Sequence, residues 1–533
     1  MPAASRGESG SAQVESGSEA CASCHEEIYK SYLKTAMSRA SGPASQDLIT
    51  GDFRHKPSGI TYRVFEQDGR VWMSYERTKG ETLRGQRELL YYIGSGVKGR
   101  SYLFSENGFW FESPVNWYGQ EHRWNMTPAY MSARELPLNL PSLIDCMNCH
   151  ASGLQPPAAG TENKFDGQPF RHAGITCERC HGNGEEHMDG KGPIVNPAKL
   201  NAERRDSVCM ECHFEGTVAV EQAGKHLYEF RPGDRLQDFT RYFVLKRAEP
   251  EKTLALSQVE ALGLSKCKEK TGEKMSCVSC HNPHSEPSAE EKAAFYRAKC
   301  LACHGEIAKR HHPDKPDCTG CHMPKLPDAA VAHTESTDHR ILKYPNGFQM
   351  PVTTKEPELV TFPANDGGET STRDLALAWE TLAERKVERA AKPAEQYLRA
   401  AATQAEGAGS DDARVLSGLA FIEQEHGKSD SARQLYERAL RVDPLANDAA
   451  TNLGALEARA GHLRRAVELW QGAFSRAPHR SEIGVDLALA FCATGQTNEA
   501  RMYVERVLEF NPDFGNAKRL LNHLSGDPVQ CKP

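Results

Sequence analysis

The chain has 533 residues, a net charge of −7 at pH 7 and a sequence pI near 6.3. It is too long for one ordinary domain and too acidic for a nucleic-acid binder. Seventeen cysteines are many for a chain that is not a small disulfide scaffold. No run approaches the roughly 18–20 apolar residues of a membrane span.

Residues 1–17 are small and polar, and are expected to be disordered. They hold no apolar stretch of the kind that makes an export signal. From Cys21 the pattern changes. A CxxCH motif occurs seven times: Cys21–Cys24–His25, Cys146–Cys149–His150, Cys177–Cys180–His181, Cys209–Cys212–His213, Cys277–Cys280–His281, Cys300–Cys303–His304 and Cys318–Cys321–His322. Composition alone would give about 0.02 such motifs by chance. Zinc and iron–sulfur sites need CxxC but no histidine in the next position, and here every CxxC has one. The chemistry that needs all three residues is covalent haem. Two thiols bond the vinyl groups, two intervening residues set their span, and the histidine becomes an axial iron ligand. Seven c-type haems are therefore expected. Such haems are attached outside the cytoplasm, so an export signal is expected ahead of this sequence and the protein is placed in the periplasm or outside the cell. The leftover Cys267, Cys492 and Cys531 are expected to be structural thiols or incidental.

Two segments alternate apolar and polar residues around a tight-turn pair: Ile60–Arg77 around Asp68-Gly69, and Tyr102–Tyr118 around Asn107-Gly108. Both predict β-hairpins. The rest of residues 18–345 reads as short helices and loops wrapped on haems, which would form most of the hydrophobic core and leave the haem-free chain unfolded. Ten histidines lie here outside the motifs: His55, His122, His172, His187, His226, His284, His311, His312, His333 and His339. They are numerous enough to supply second axial ligands.

Leu326–Ser371 is rich in Pro, Thr and Asp and reads as an extended wrap, with 346–371 as linker. Residues 372–525 read as helical. Gly427, Gly461 and Gly495 are 34 residues apart, as are Ala432, Ala466 and Ala500, and Pro444, Pro478 and Pro512. This pattern resembles the tetratricopeptide repeat, with clear repeats over 411–512, a degenerate one over 372–408 and a capping helix near 513–525. The expected fold is mainly α: a haem-packed cytochrome domain with a few β-hairpins, followed by an all-α solenoid.

Several stretches resemble multihaem proteins related to cytochrome c-554 and, more distantly, hydroxylamine oxidoreductase. They are Ser18–His25 with Thr35-Ala-Met-Ser38, Ile93–Gly96 through Leu103, Ser113–Tyr118, Gly174–Gly182 with Glu186-His187, Ile194–Pro197, Cys280–His284 and His333–Ile341. The resemblance implies second-ligand roles for His55, His172, His187, His284, His333 and His339. His284 follows the fifth motif so closely that a neighbouring haem is its natural target. Met37 stands where distant relatives often carry an axial histidine, and reads either as a thioether ligand or as helix packing. Gln258 stands where many relatives have His. The expected function is electron transfer through a chain of haems, with the repeats docking a redox partner or another copy. The alternative is an oxidoreductase acting on a small nitrogen or sulfur compound at one open-sided haem. No catalytic residue is assigned; the lysine-ligated CxxCK motif of pentahaem nitrite reductases is absent.

Overall fold

The computed structural model describes residues 15–246, 257–308, 311, 317–325, 337–343, 358–362, 370–526 and 531. The two expected hairpins form, as Thr61–Gln67 with Arg70–Arg77 and as Gly99–Glu106 with Phe109–Glu112. At their tips Asp68 and Gly69 take φ 54° and 73°, and Asn107 and Gly108 take 53° and 81°. Left-handed backbone at both central residues gives the turn whose twist matches the strands.

Each hairpin is part of something larger. Gly51–Arg54, Thr61–Gln67, Arg70–Arg77 and Leu83–Leu89 make a four-stranded antiparallel sheet in sequence order. A second, six-stranded sheet includes Ser41–Pro43, Tyr91–Ile93, Gly99–Glu106, Val115–Tyr118 and Arg123–Met126, with Phe109–Glu112 at its side. Tyr62, Val64 and Met73 from the first sheet meet Tyr92, Tyr102, Phe104 and Phe111 from the second in one buried cluster. The segment between motifs one and two therefore has a protein core of its own. This corrects the expectation that haems form most of the core of residues 18–345; the motifs themselves lie on separate stretches.

Those stretches are short helices and turns: Glu19–Ala22, Ile144–Asn148, Glu178–His181, Ala202–His213, Cys277–Ser279, Lys292–Ala308 and Thr319–His322. No described helix is long and apolar enough to cross a membrane.

The last third is a stack of antiparallel helix pairs from Thr372–Glu384 to Gly515–Leu524. Gly427, Gly461 and Gly495 turn the chain between paired helices at φ 74°, 85° and 80°, which only glycine adopts without strain. Ala432, Ala466 and Ala500 are fully buried. A disulfide between Cys492 and Cys531, whose Cα atoms are 5.6 Å apart, ties residue 531 to the helix that carries Cys492. Expected as structural thiols or incidental residues, these two cysteines are instead bonded to each other.

The stack packs on the rest of the chain at both ends. Helix Thr372–Glu384 buries Leu377 and Trp379 in one cluster with Val218, Phe243 and Leu359. These last come from a three-stranded sheet whose third strand, Glu358–Phe362, lies in the segment read as linker. At the far end Phe510 packs on Phe109 and Phe111, ring centroids 5.8 and 5.9 Å away. Beside it Arg77 makes two bonds to Asp513, at 2.8 and 2.7 Å.

Candidate functional site

In motifs one, three, five and seven the histidine N–H donates to the carbonyl of the first cysteine, at 2.9–3.0 Å. One helical turn thus gathers both thiols and the imidazole on the same side. Backbone carbonyls then orient the rings: the Nδ1–H of His150, His181 and His322 donates to Ala40, Val195 and Leu342, at 3.2, 2.8 and 2.7 Å. With Nδ1 so engaged, Nε2 is the lone pair left for a metal.

Motif residues line a single cavity of about 3390 Å³, together with Met37, His187, His284 and His339. Ordinary ligand pockets hold about 300–1,000 Å³, so this space suits several large apolar groups rather than one small molecule. Cysteines from six motifs face it, and Thr319 and Gly320 of the seventh. Five motifs give it both thiols and the adjoining imidazole, a lining that fits covalent haem.

Four motif histidines face a second imidazole. The rings of His25 and His187 are 6.5 Å apart and 15° from parallel. Those of His181 and His284 are 5.9 Å and 10° apart, of His281 and His339 6.2 Å and 27°, and of His322 and His311 5.8 Å and 48°. His284 thus meets the third motif and not its own. Burial, and then neighbouring His181, lowers its pKa, which favours the neutral imidazole that binds metals.

Motifs are also brought together in pairs through their thiols. Cys21 meets Cys177, Cys149 meets Cys212, Cys209 meets Cys277, and Cys300 meets Cys318. The order in space therefore differs from the order in sequence: the first motif neighbours the third, and the second neighbours the fourth.

Two expected ligands are not brought to the cavity. His55 is buried with both ring nitrogens occupied: Nε2–H donates to the Met131 carbonyl at 3.1 Å, and Nδ1 accepts from the Ser58 hydroxyl at 2.9 Å. His172, on strand Phe170–Ala173, has its Nε2 3.0 Å from the Glu15 carbonyl. Each ring donates a hydrogen bond from Nε2 to a backbone carbonyl. His333 lies outside the described residues. His311, only a spare in the sequence reading, is the ring that faces His322; its place a few residues ahead of the seventh motif was the available signal. Gln258 stands on the cavity wall.

With its thiol pairs, oriented imidazoles and large shared cavity, the chain is a multihaem c-type cytochrome fused to tetratricopeptide repeats. Residues 116–182 match the family described as cytochrome c554 and c-prime, and residues 270–309 match the doubled CXXCH motif family. The multihaem cytochrome MtrA of Shewanella baltica (strain OS185) is 26% identical over 179 residues, 30% of this chain and 52% of that protein. The chain thus spans about half the length of that relative. Among solved structures it is similar to a tetratricopeptide repeat protein from Parabacteroides merdae, with 19% identity, 29% of this chain, 60% of that one and a TM-score of 0.26. It is similar likewise to MamA from Desulfovibrio magneticus RS-1, with 17% identity, 29% and 86% coverage and a TM-score of 0.25. The repeat fold itself rests on the 34-residue geometry described above.

Proposed function

We propose that the chain is an exported electron carrier, with one covalent haem on each of its seven motifs and most irons held between two axial side chains. The facing imidazoles carry this reading. Metal–imidazole bonds are about 2 Å, and two in line plus the two half-rings set centroids roughly 6 Å apart. The separations found are 5.8–6.5 Å. His187, His284, His339 and His311 are then the second ligands to the groups on motifs one, three, five and seven. Met37, on the cavity wall, is proposed as a thioether ligand to another.

When bound, haem supplies reversible one-electron chemistry at its iron. The chain's residues do the rest. Cysteine pairs fasten each group, the carbonyls of Ala40, Val195 and Leu342 fix the imidazoles, and the thiol contacts set neighbouring groups close together. Residues 18–345 form the cytochrome domain in this reading, and 372–525 the repeats. The repeats are proposed to dock a redox partner or another copy on the surface left by their contacts within the chain. The Cys492–Cys531 disulfide supports an oxidising compartment, periplasmic or extracellular.

The test is a pyridine haemochrome count with electron paramagnetic resonance of the oxidised protein. A count near seven with only low-spin signals is expected, and a far-red sulfur-to-iron band would assign Met37. A high-spin signal that shifts with nitrite, hydroxylamine or cyanide would replace this reading with the oxidoreductase one.

A further inference from the structure

The two residues between the cysteines of a CxxCH motif have no role in attachment, so chemistry leaves them free. In three motifs they interlock. Asn148 from the second motif, Arg179 from the third and Glu211 from the fourth meet at one buried point, with exposures of 0%, 7% and 2%. Arg179 donates through Nη2 to the Asn148 carbonyl at 2.9 Å, to its Oδ1 at 3.1 Å and to Glu211 Oε1. Asn148 Nδ2 donates to the same Glu211 oxygen at 3.2 Å. Arg179 lines the shared cavity, and its Nε finds no hydrogen-bond partner among the described residues.

An isolated arrangement of this kind would be hard to explain as stability alone. A buried ion pair often contributes no more than well-packed apolar residues would, whereas removing one partner leaves a buried charge and is strongly destabilising. What the pair adds is position and field. It ties three short helices, Ile144–Asn148, Glu178–His181 and Ala202–His213, at one point. It also places one positive and one negative charge against a wall where water is excluded and electrostatic effects are large.

We infer that Asn148, Arg179 and Glu211 form a positioning node that sets the spacing of the haems on motifs two, three and four and balances the local field that fixes their reduction potentials. This rests on the haem reading above. Arg179 and Glu211 together are neutral, so the intact node leaves those potentials unbiased. Uncovering either charge biases them: a lone cation favours the reduced state, and a lone carboxylate the oxidised state.

The experiment is a spectroelectrochemical titration of the full-length holoprotein and its variants, each with a haemochrome count. Glu211→Gln keeps an acceptor oxygen for Arg179 and Asn148 while removing the negative charge, so full haem loading is expected. Its midpoint potentials should move upward for a subset of haems, and those of Arg179→Gln downward. The double variant Arg179→Gln/Glu211→Gln should return toward the parent. Arg179→Lys, which keeps the charge and loses the planar fork, should hold the potentials and alter the haem–haem coupling seen by electron paramagnetic resonance. Fully loaded Glu211→Gln with unshifted or lowered potentials would overturn the node's role. A parent protein with no covalent haem would instead overturn the functional reading beneath it.

Discussion

Asp513→Asn is the sharpest test of how the repeats are joined to the rest of the chain. The Asp513 side chain is 2% exposed and Arg77 13%. Asp513 takes two bonds from Arg77, one from Lys518 at 2.7 Å and one from the Leu136 N–H at 2.9 Å. Breaking a buried pair costs about 3–5 kcal/mol, most of it from the charge left behind. Here two cations are left, but Arg77 keeps some solvent, and asparagine retains one acceptor and the same volume. The expected loss is about 3 kcal/mol, at the low end of that range. It should fall on the contact and not on the whole fold, since Phe510 still packs on Phe109 and Phe111. Because several modules are present, one melting temperature is not the right readout. Hydrogen exchange is: the Leu136 amide and helix Gly515–Leu524 should lose protection by roughly two orders of magnitude, the equivalent of about 3 kcal/mol. Unchanged protection there, or an equal loss in helix Thr372–Glu384 at the opposite end, would refute the argument.

The same contact should respond to acid. Burial pushes the Asp513 pKa up, but bonds from Arg77, Lys518 and the Leu136 N–H outweigh it and hold the carboxyl below its usual range. Its contribution is therefore complete above the unfolded pKa of about 3.9 and is lost as pH falls below that value; exchange at the Leu136 amide measured against pH checks this. Cys492→Ser should destabilise the last repeat by about 4 kcal/mol, from the loop entropy of a 39-residue separation, and reductant should reproduce the effect in the parent by chemical denaturation. Gly174→Ala should disrupt the seam between the first and third motifs. That residue has φ +68°, and a Cβ there would stand 2.1 Å from the Ser38 carbonyl oxygen; the loss should appear as lower haem incorporation. His187→Ala and His284→Ala should each convert one low-spin signal to high-spin with the haem count unchanged.

Much of this was legible in the residues because the determinants are local. The Asp68-Gly69 and Asn107-Gly108 turns, the 34-residue glycine spacing and the CxxCH motifs each act within a few positions of themselves. The sheets between motifs one and two were harder to see. Ser41–Pro43 and Gly51–Arg54 are too short to show alternation, and Leu83–Leu89 is half polar. They become strands by long-range pairing, as when Gly42 lies opposite Tyr92. His55 and His172 resembled ligands by position, but carbonyls distant in sequence, Met131 and Glu15, take their ring nitrogens. Three leftover cysteines allow three pairings, so Cys492–Cys531 could not be singled out. The node at Asn148, Arg179 and Glu211 sits at positions the motif leaves open.

The facing imidazoles bear on biogenesis. On the proposed pairing, the first motif waits for His187, the third for His284 and the fifth for His339, each contributed by polypeptide made much later. The domain is stitched rather than strung, and no early segment is complete when it first emerges. Attachment must then act on an open chain, with closure following synthesis of the last motif. On this pairing a cut anywhere between the first motif and His339 strips the second ligand from a haem already in place, so the cytochrome domain cannot be shortened from that end into a smaller working one.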